Sequence, residues 1–81
     1  MKTILKVRES PKSNWRVLCT VDANSNFKDM SWMTRCDMMD RENQMKAARE
    51  QRDGWRMNGP WPHASFRIED EAGELLEGLV A

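Results

Sequence analysis

Apolar residues recur at every second position through the first twenty-one residues, a period of two that admits strands and excludes a helix there. Thr3, Leu5 and Val7 share one face of an extended segment, and Lys2, Lys6 and Arg8 share the other, with Ile4 as the exception. Ser10-Pro11-Lys12-Ser13-Asn14 reads as a turn, because proline fixes its own φ and the Ser and Asn side chains bond to nearby backbone. Alternation resumes with Trp15, Val17, Cys19 and Val21 on one side and Arg16 and Thr20 on the other. The expectation is a β-hairpin with Trp15 and Val17 on its buried row.

The period then changes. Residues 22–26 break the pattern, and no Gly or Pro follows until Gly54. The stretch between is rich in Met, Ala, Gln, Glu, Lys and Arg, all good helix formers. It predicts a helix over roughly residues 30–53, capped by Asp29 or Ser31. Alternatively, residues 27–33 extend the sheet and the helix begins near Asp37. Residues 55–62 hold two prolines and Gly59 and read as a loop, one that packs down because it carries Trp55, Met57 and Trp61. Ala64, Phe66 and Ile68 alternate with Ser65, Arg67 and Glu69 as a third strand. Asp70-Glu71-Ala72-Gly73 fits a tight turn with Gly73 left-handed, and residues 74–77 pair back as a short edge strand.

The fold expected is therefore α+β. A three- or four-stranded antiparallel sheet carries one long helix on one face, in the order ββαβ or ββαββ. Residues 1–81 form a single small domain, since this length leaves no room for a second core. Leu, Ile, Val and Phe number only thirteen, so seven Met and four Trp must supply much of the apolar volume.

Thirteen Lys and Arg balance thirteen Asp and Glu, which argues against a bulk polyanion binder. The zero is unevenly laid out. Residues 1–20 carry a net +4, residues 61–81 a net −4, and the middle is balanced. A sheet that brings the two ends together places Lys6 and Arg8 near Glu69 or Glu74. No apolar run is long enough for a membrane span. Lys6 and Arg8 interrupt the start before a signal peptide develops. Two cysteines make no disulfide framework, and a reduced, cytoplasmic protein is expected.

Chemistry-bearing motifs are absent. Cys19, Cys36 and His63 lack the short paired spacings of a zinc site. No Gly-x-Ser-x-Gly elbow or glycine-rich phosphate loop occurs. Asp37 and Asp40 read as solvated residues near a helix start. No catalytic residue, metal or cofactor is expected, and the chain reads as a non-enzyme.

The helix carries the informative pattern. At about 100° per residue, Trp32, Cys36, Met39, Asn43, Ala47 and Met57 form a stripe expected to face the sheet. Met38, Arg41, Met45, Arg49 and Arg52 form a second, outward ridge, which Arg56 joins if the helix runs past Gly54. Local ion pairs account for part of it, but Arg and Met are also enriched at interfaces. Trp55 and Trp61 either close the core or stand as anchors. Arg41, Met45, Arg49, Arg52 and Arg56, with Trp55 and Trp61, are thus the expected partner-binding residues. The alternative is a nucleic-acid-binding module on a basic sheet face formed by Lys6, Arg8, Lys12 and Arg16, with Trp15 close by. A homodimer seam along the helix is a further expectation.

In size and element order the chain resembles small proteins of phages and mobile elements, including several anti-CRISPR proteins. The resemblance spans most of the chain, as architecture. It implies a protein that inhibits by docking on a larger protein or ribonucleoprotein, such as a host defence complex. It carries over no catalytic residue. The even charge departs from the strongly acidic members that mimic DNA.

Overall fold

The computed structural model describes residues 1–23, 39–61 and 63–80. The elements are β1 (Thr3–Arg8), β2 (Arg16–Val21), α1 (Arg41–Asn58), β3 (Ser65–Asp70) and β4 (Leu75–Val80). The strands form one antiparallel sheet in the order β2-β1-β3-β4, and α1 packs on one face of it. This is the α+β fold that the alternation and the helical stretch imply, with the fourth strand present.

β1 and β3 are central. Their pairing runs without a break from Thr3 opposite Asp70 to Arg8 opposite Ser65. Leu5, Val7, Phe66 and Ile68 are therefore aimed at the helix, and all are buried. Met45, Ala47 and Ala48 of α1 meet them, with Val21 and Ala64 completing the core and Leu18, Cys19 and Trp61 packed against it. Two adjacent alanines let the helix backbone come close to the sheet. Fully burying a side chain such as Phe66 or Leu5 stabilises by about 1.5–3 kcal/mol.

The strand edges depart from simple alternation. Between β1 and β2 the register shifts, so that Leu5 faces Cys19 but Lys6 faces Val17. Leu18 is the extra residue, and the bulge exchanges the faces on either side of it. Val17, expected in the buried row, lies opposite Lys6 and is 56% exposed. Arg16 lies opposite the buried Val7, and so leaves the strand on the helix side. Trp15 is not a core residue either: it is half-buried, with the guanidinium groups of Arg8 and Arg67 over its ring.

The helix also differs from expectation. Asp40 caps it, its carboxylate accepting from the Glu42 N–H at 3.1 Å. The expected helix over residues 30–38, and with it Trp32, Cys36 and Met38, lies outside the described residues, as does the alternative strand over 27–33. At the other end α1 runs past Gly54 to Asn58, so Trp55 and Met57 belong to the helix and not to a loop. It stops at Gly59, whose N–H reaches the Trp55 carbonyl at 2.8 Å. A Cβ there would lie 2.4 Å from that carbonyl oxygen, and Pro60 follows, which cannot continue the helix.

The sheet-facing stripe is Gln44, Met45, Ala47 and Ala48. Of the expected stripe Ala47 is buried, but Met39 and Met57 are exposed, Met57 by 82%, while Met45 of the supposed outward ridge is only 8% exposed. A helical wheel shows which residues align, and both stripes are equally good alignments. The buried face lies between them, taking Ala47 from one and Met45 from the other and adding Gln44 and Ala48.

Candidate docking surfaces

Each arginine of the ridge has an acidic partner in the structure. Arg41 donates to the Lys2 carbonyl at 2.7 Å, to Thr3 Oγ1 at 2.9 Å and to Glu71 at 3.2 Å. It fastens the first turn of α1 to the start of β1 and to the β3–β4 turn. Gln44, fully buried one turn on, accepts from Thr3 Oγ1 at 2.8 Å and donates to the Met1 carbonyl at 3.2 Å. Arg49 and Arg52 both bond the Glu77 carboxylate on β4, Arg49 at 2.8 Å. Arg56 stands 4.0 Å from Asp53, one turn back on the same helix.

These contacts set the acidity of the partners. The Lys2 backbone N–H is the main force holding Glu71 down to about 2, helped by its own N–H and by Arg41. For Glu77, burial pushes the carboxyl up, but the bonds and charges of Arg49 and Arg52 outweigh it and the pKa falls below the usual carboxylate range. The ridge lies along the border of the buried face. Arg41, Arg49 and Arg52 reach around that border to the acidic end of the chain.

The aromatic residues form two groups. Trp55 and Trp61 stack with ring centroids 5.3 Å apart, and Arg16 lies over the Trp61 ring at 5.0 Å while pairing with Glu9. From Asp53 to Asn58 every residue of α1 is exposed. Trp55 and Met57 thus stand free of the sheet at the helix end, and Asp53, Arg56 and Met57 line an open hollow there. The question of whether these tryptophans are core or anchor has a divided answer. Trp61 packs against the core with one side, and Trp55 covers it while remaining 38% exposed.

The second group lies on the sheet face turned away from α1. Lys6 and Arg67 are directly opposite each other, and the buried Glu69 sits between them, 2.9 Å from Lys6 and 2.6 Å from Arg67. The expected pairing of the basic start with the acidic end is present in this Lys6–Glu69 contact. Arg8 turns instead to Trp15, at 4.8 Å from the ring centroid, and Arg67 lies at 5.4 Å from it. Of the basic sheet residues expected, Lys6 and Arg8 share this face. Lys12 is exposed in the β1–β2 turn, and Arg16 belongs to the other side. Arg67 is the member that the sequence reading did not assign, although its alternation with Phe66 and Ile68 signals it.

Cys19 faces the core, half-buried, and burial raises its thiol to about 11, partly offset by a hydrogen bond to the Leu5 backbone. Among the described residues no group of three or more His, Cys, Asp or Glu is placed to hold a metal ion. None of the described helices is long and apolar enough to cross a membrane. No protein-family model, curated protein or solved structure matches the chain.

Proposed function

We propose that the protein acts by binding, without chemistry of its own, and that it docks on a larger partner through the C-terminal end of α1. The observation that carries this reading is the exposed cluster of Trp55, Met57 and Arg56 on a helix end free of the sheet, backed by Trp61. Trp, Met and Arg are enriched at interface centres because they combine large apolar area with directed polar contacts. Trp61 stiffens Trp55 from behind, which lowers the entropy lost when Trp55 is covered.

The binding surface is thus narrower than the whole arginine ridge. Arg41, Arg49 and Arg52 act within the fold and Met45 lies in the core, while Arg56, Trp55 and Trp61 remain as contacts. The architectural resemblance to small inhibitors of phages and mobile elements supports an inhibitor of a host defence or nucleic-acid-processing complex, working in the cytoplasm.

The test is capture from a lysate of cells in which the chain is active, comparing wild type with a Trp55→Ala, Met57→Asp variant. Circular dichroism and the unfolding midpoint establish that the variant is folded. A protein or complex held by wild type and lost by the folded variant supports the reading. Equal capture by both, or no capture by wild type, removes it. The mass in solution is measured alongside: a dimer that Met57→Asp dissolves would assign the helix end to self-association instead.

A further inference from the structure

We propose that the sheet face turned away from α1 is a binding site for single-stranded nucleic acid, with Trp15 as the stacking platform and Lys6, Arg8 and Arg67 as phosphate contacts. The site is independent of the helix end.

Three features of this face support the assignment. The first is charge. Alternation along β1 and β3 puts Lys6, Arg8 and Arg67 here, and Glu69 is the carboxylate between them. Glu69 is 4% exposed, so it neutralises from within while the cations, each half-buried, form the surface. The excess is positive even though the chain as a whole is neutral. Lys12, exposed in the turn that follows β1, extends it at the end nearest Arg8.

The second feature is the ring. Trp15 starts just ahead of β2, at the sheet edge, yet its indole lies within cation–π distance of Arg8 on β1 and Arg67 on β3. It therefore lies across the strands. Two guanidinium groups, 4.8 and 5.4 Å from the ring centroid, hold the indole beside the cations, where a base stacked on it would bring its phosphates close to them. Arg8 Nε is buried and has no hydrogen-bond partner among the described residues, and the Trp15 ring lies 4.8 Å from that guanidinium.

The third feature is shape. The face is a sheet surface to which Val17 adds an exposed apolar side chain. Splayed bases of a single strand lie readily on such an open surface, where an aromatic ring can stack them. An acidic peptide would satisfy the cations but leave the indole without a stacking partner, which is why a nucleic acid is the better fit.

The experiment is fluorescence anisotropy of labelled oligothymidylate and oligouridylate of about fifteen nucleotides, at about 50 mM salt, with the intact chain. Binding is expected to weaken steeply with salt, with a log–log slope near −2 if about three phosphates are contacted. Trp15→Ala is expected to weaken it about ten-fold or more. Lys6→Gln with Arg8→Gln is expected to flatten the slope by about 1.4. Met57→Asp should leave binding unchanged, which separates this site from the helix end. Should Trp15→Ala fail to fold, Trp15→Phe and the wild-type indole N–H resonances take its place. Oligonucleotide should then move the Trp15 signal and leave those of Trp55 and Trp61 in position. No binding at low salt overturns the proposal. So do equal competition by polyglutamate, an affinity indifferent to Trp15, or resonance changes confined to Trp55 and Trp61.

Discussion

Arg49 and Glu77 are twenty-eight residues apart in the chain and 2.8 Å apart in space, and Arg52 bonds the other oxygen of the same carboxylate. This bracket ties edge strand β4 to the helix. It matters because β4 pairs with β3 through two register shifts, so its ladder alone is irregular. Glu77 faces the helix because it lies opposite Ile68, a core residue.

Replacing Glu77 with Gln should destabilise the fold by about 1–2 kcal/mol at neutral pH, since charge-assisted bonds are lost from a half-buried site. The pH dependence has a definite sign. The Glu77 pKa is lowered in the folded chain, so its contribution is present above the unfolded carboxylate value and lost as pH falls through the folded one. Urea midpoints of wild type and Glu77→Gln should therefore differ at pH 7, draw together as pH falls below the unfolded carboxylate value of about 4.3, and converge only below the lowered folded one. A constant gap down to acid pH would show that the loss is one of packing and not of charge. Glu71, lowered to about 2, gives the variant a remaining acid sensitivity in the same direction.

Gln44 offers a test of the polar seam between α1 and β1. Gln44→Leu should cost about 1–3 kcal/mol, because the Met1 carbonyl and Thr3 Oγ1 each lose a buried partner. Adding Thr3→Val removes the second polar group as well. The double variant is then expected to be more stable than the sum of the two single losses, as read from urea unfolding. Strict additivity would mean that the two side chains do not share one network.

The hairpin, the third strand and the left-handed Gly73 (φ 87°) were legible because each rests on a local rule, alternation or a turn residue. The face assignments of Val17 and Arg16 were not. One extra residue, Leu18, reverses them, and a bulge leaves no mark in composition. The arginine ridge was visible as an alignment, but its role depends on Glu71 and Glu77, which the fold brings to it from far along the chain. The charge count by segment held that information in coarse form: a −4 terminus needs cations, and the helix supplies more of them than the basic start does. The docking candidates Trp55 and Trp61 were found by type, and their stacking follows only from helix α1 running on to Asn58.

Cys19 should be a slow thiol. With its pKa raised to about 11 by burial, little thiolate exists near pH 8. In a Cys36→Ser chain, which leaves a single cysteine, alkylation by iodoacetamide should be far slower in native protein than in urea. The native rate should climb as pH approaches the raised value. Equal rates in the two states at pH 8 would contradict a core-facing thiol.

Two glycines five positions apart should respond in opposite directions to the same substitution. Gly54 lies inside α1, exposed, and an added Cβ would meet no atom within 4 Å. Alanine there restricts the unfolded chain and favours the helix, so Gly54→Ala should stabilise by about 0.5–1 kcal/mol and raise the melting temperature by a few degrees. Gly59→Ala should lower it, because its Cβ would press on the Trp55 carbonyl oxygen at 2.4 Å and force the helix end to shift. That shift would also part Trp55 from Trp61, so the tryptophan fluorescence of Gly59→Ala should change while that of Gly54→Ala stays near wild type. Destabilisation by Gly54→Ala would mean that the helix does not run through residue 54, and the exposed end carrying Trp55 and Met57 would lose its basis.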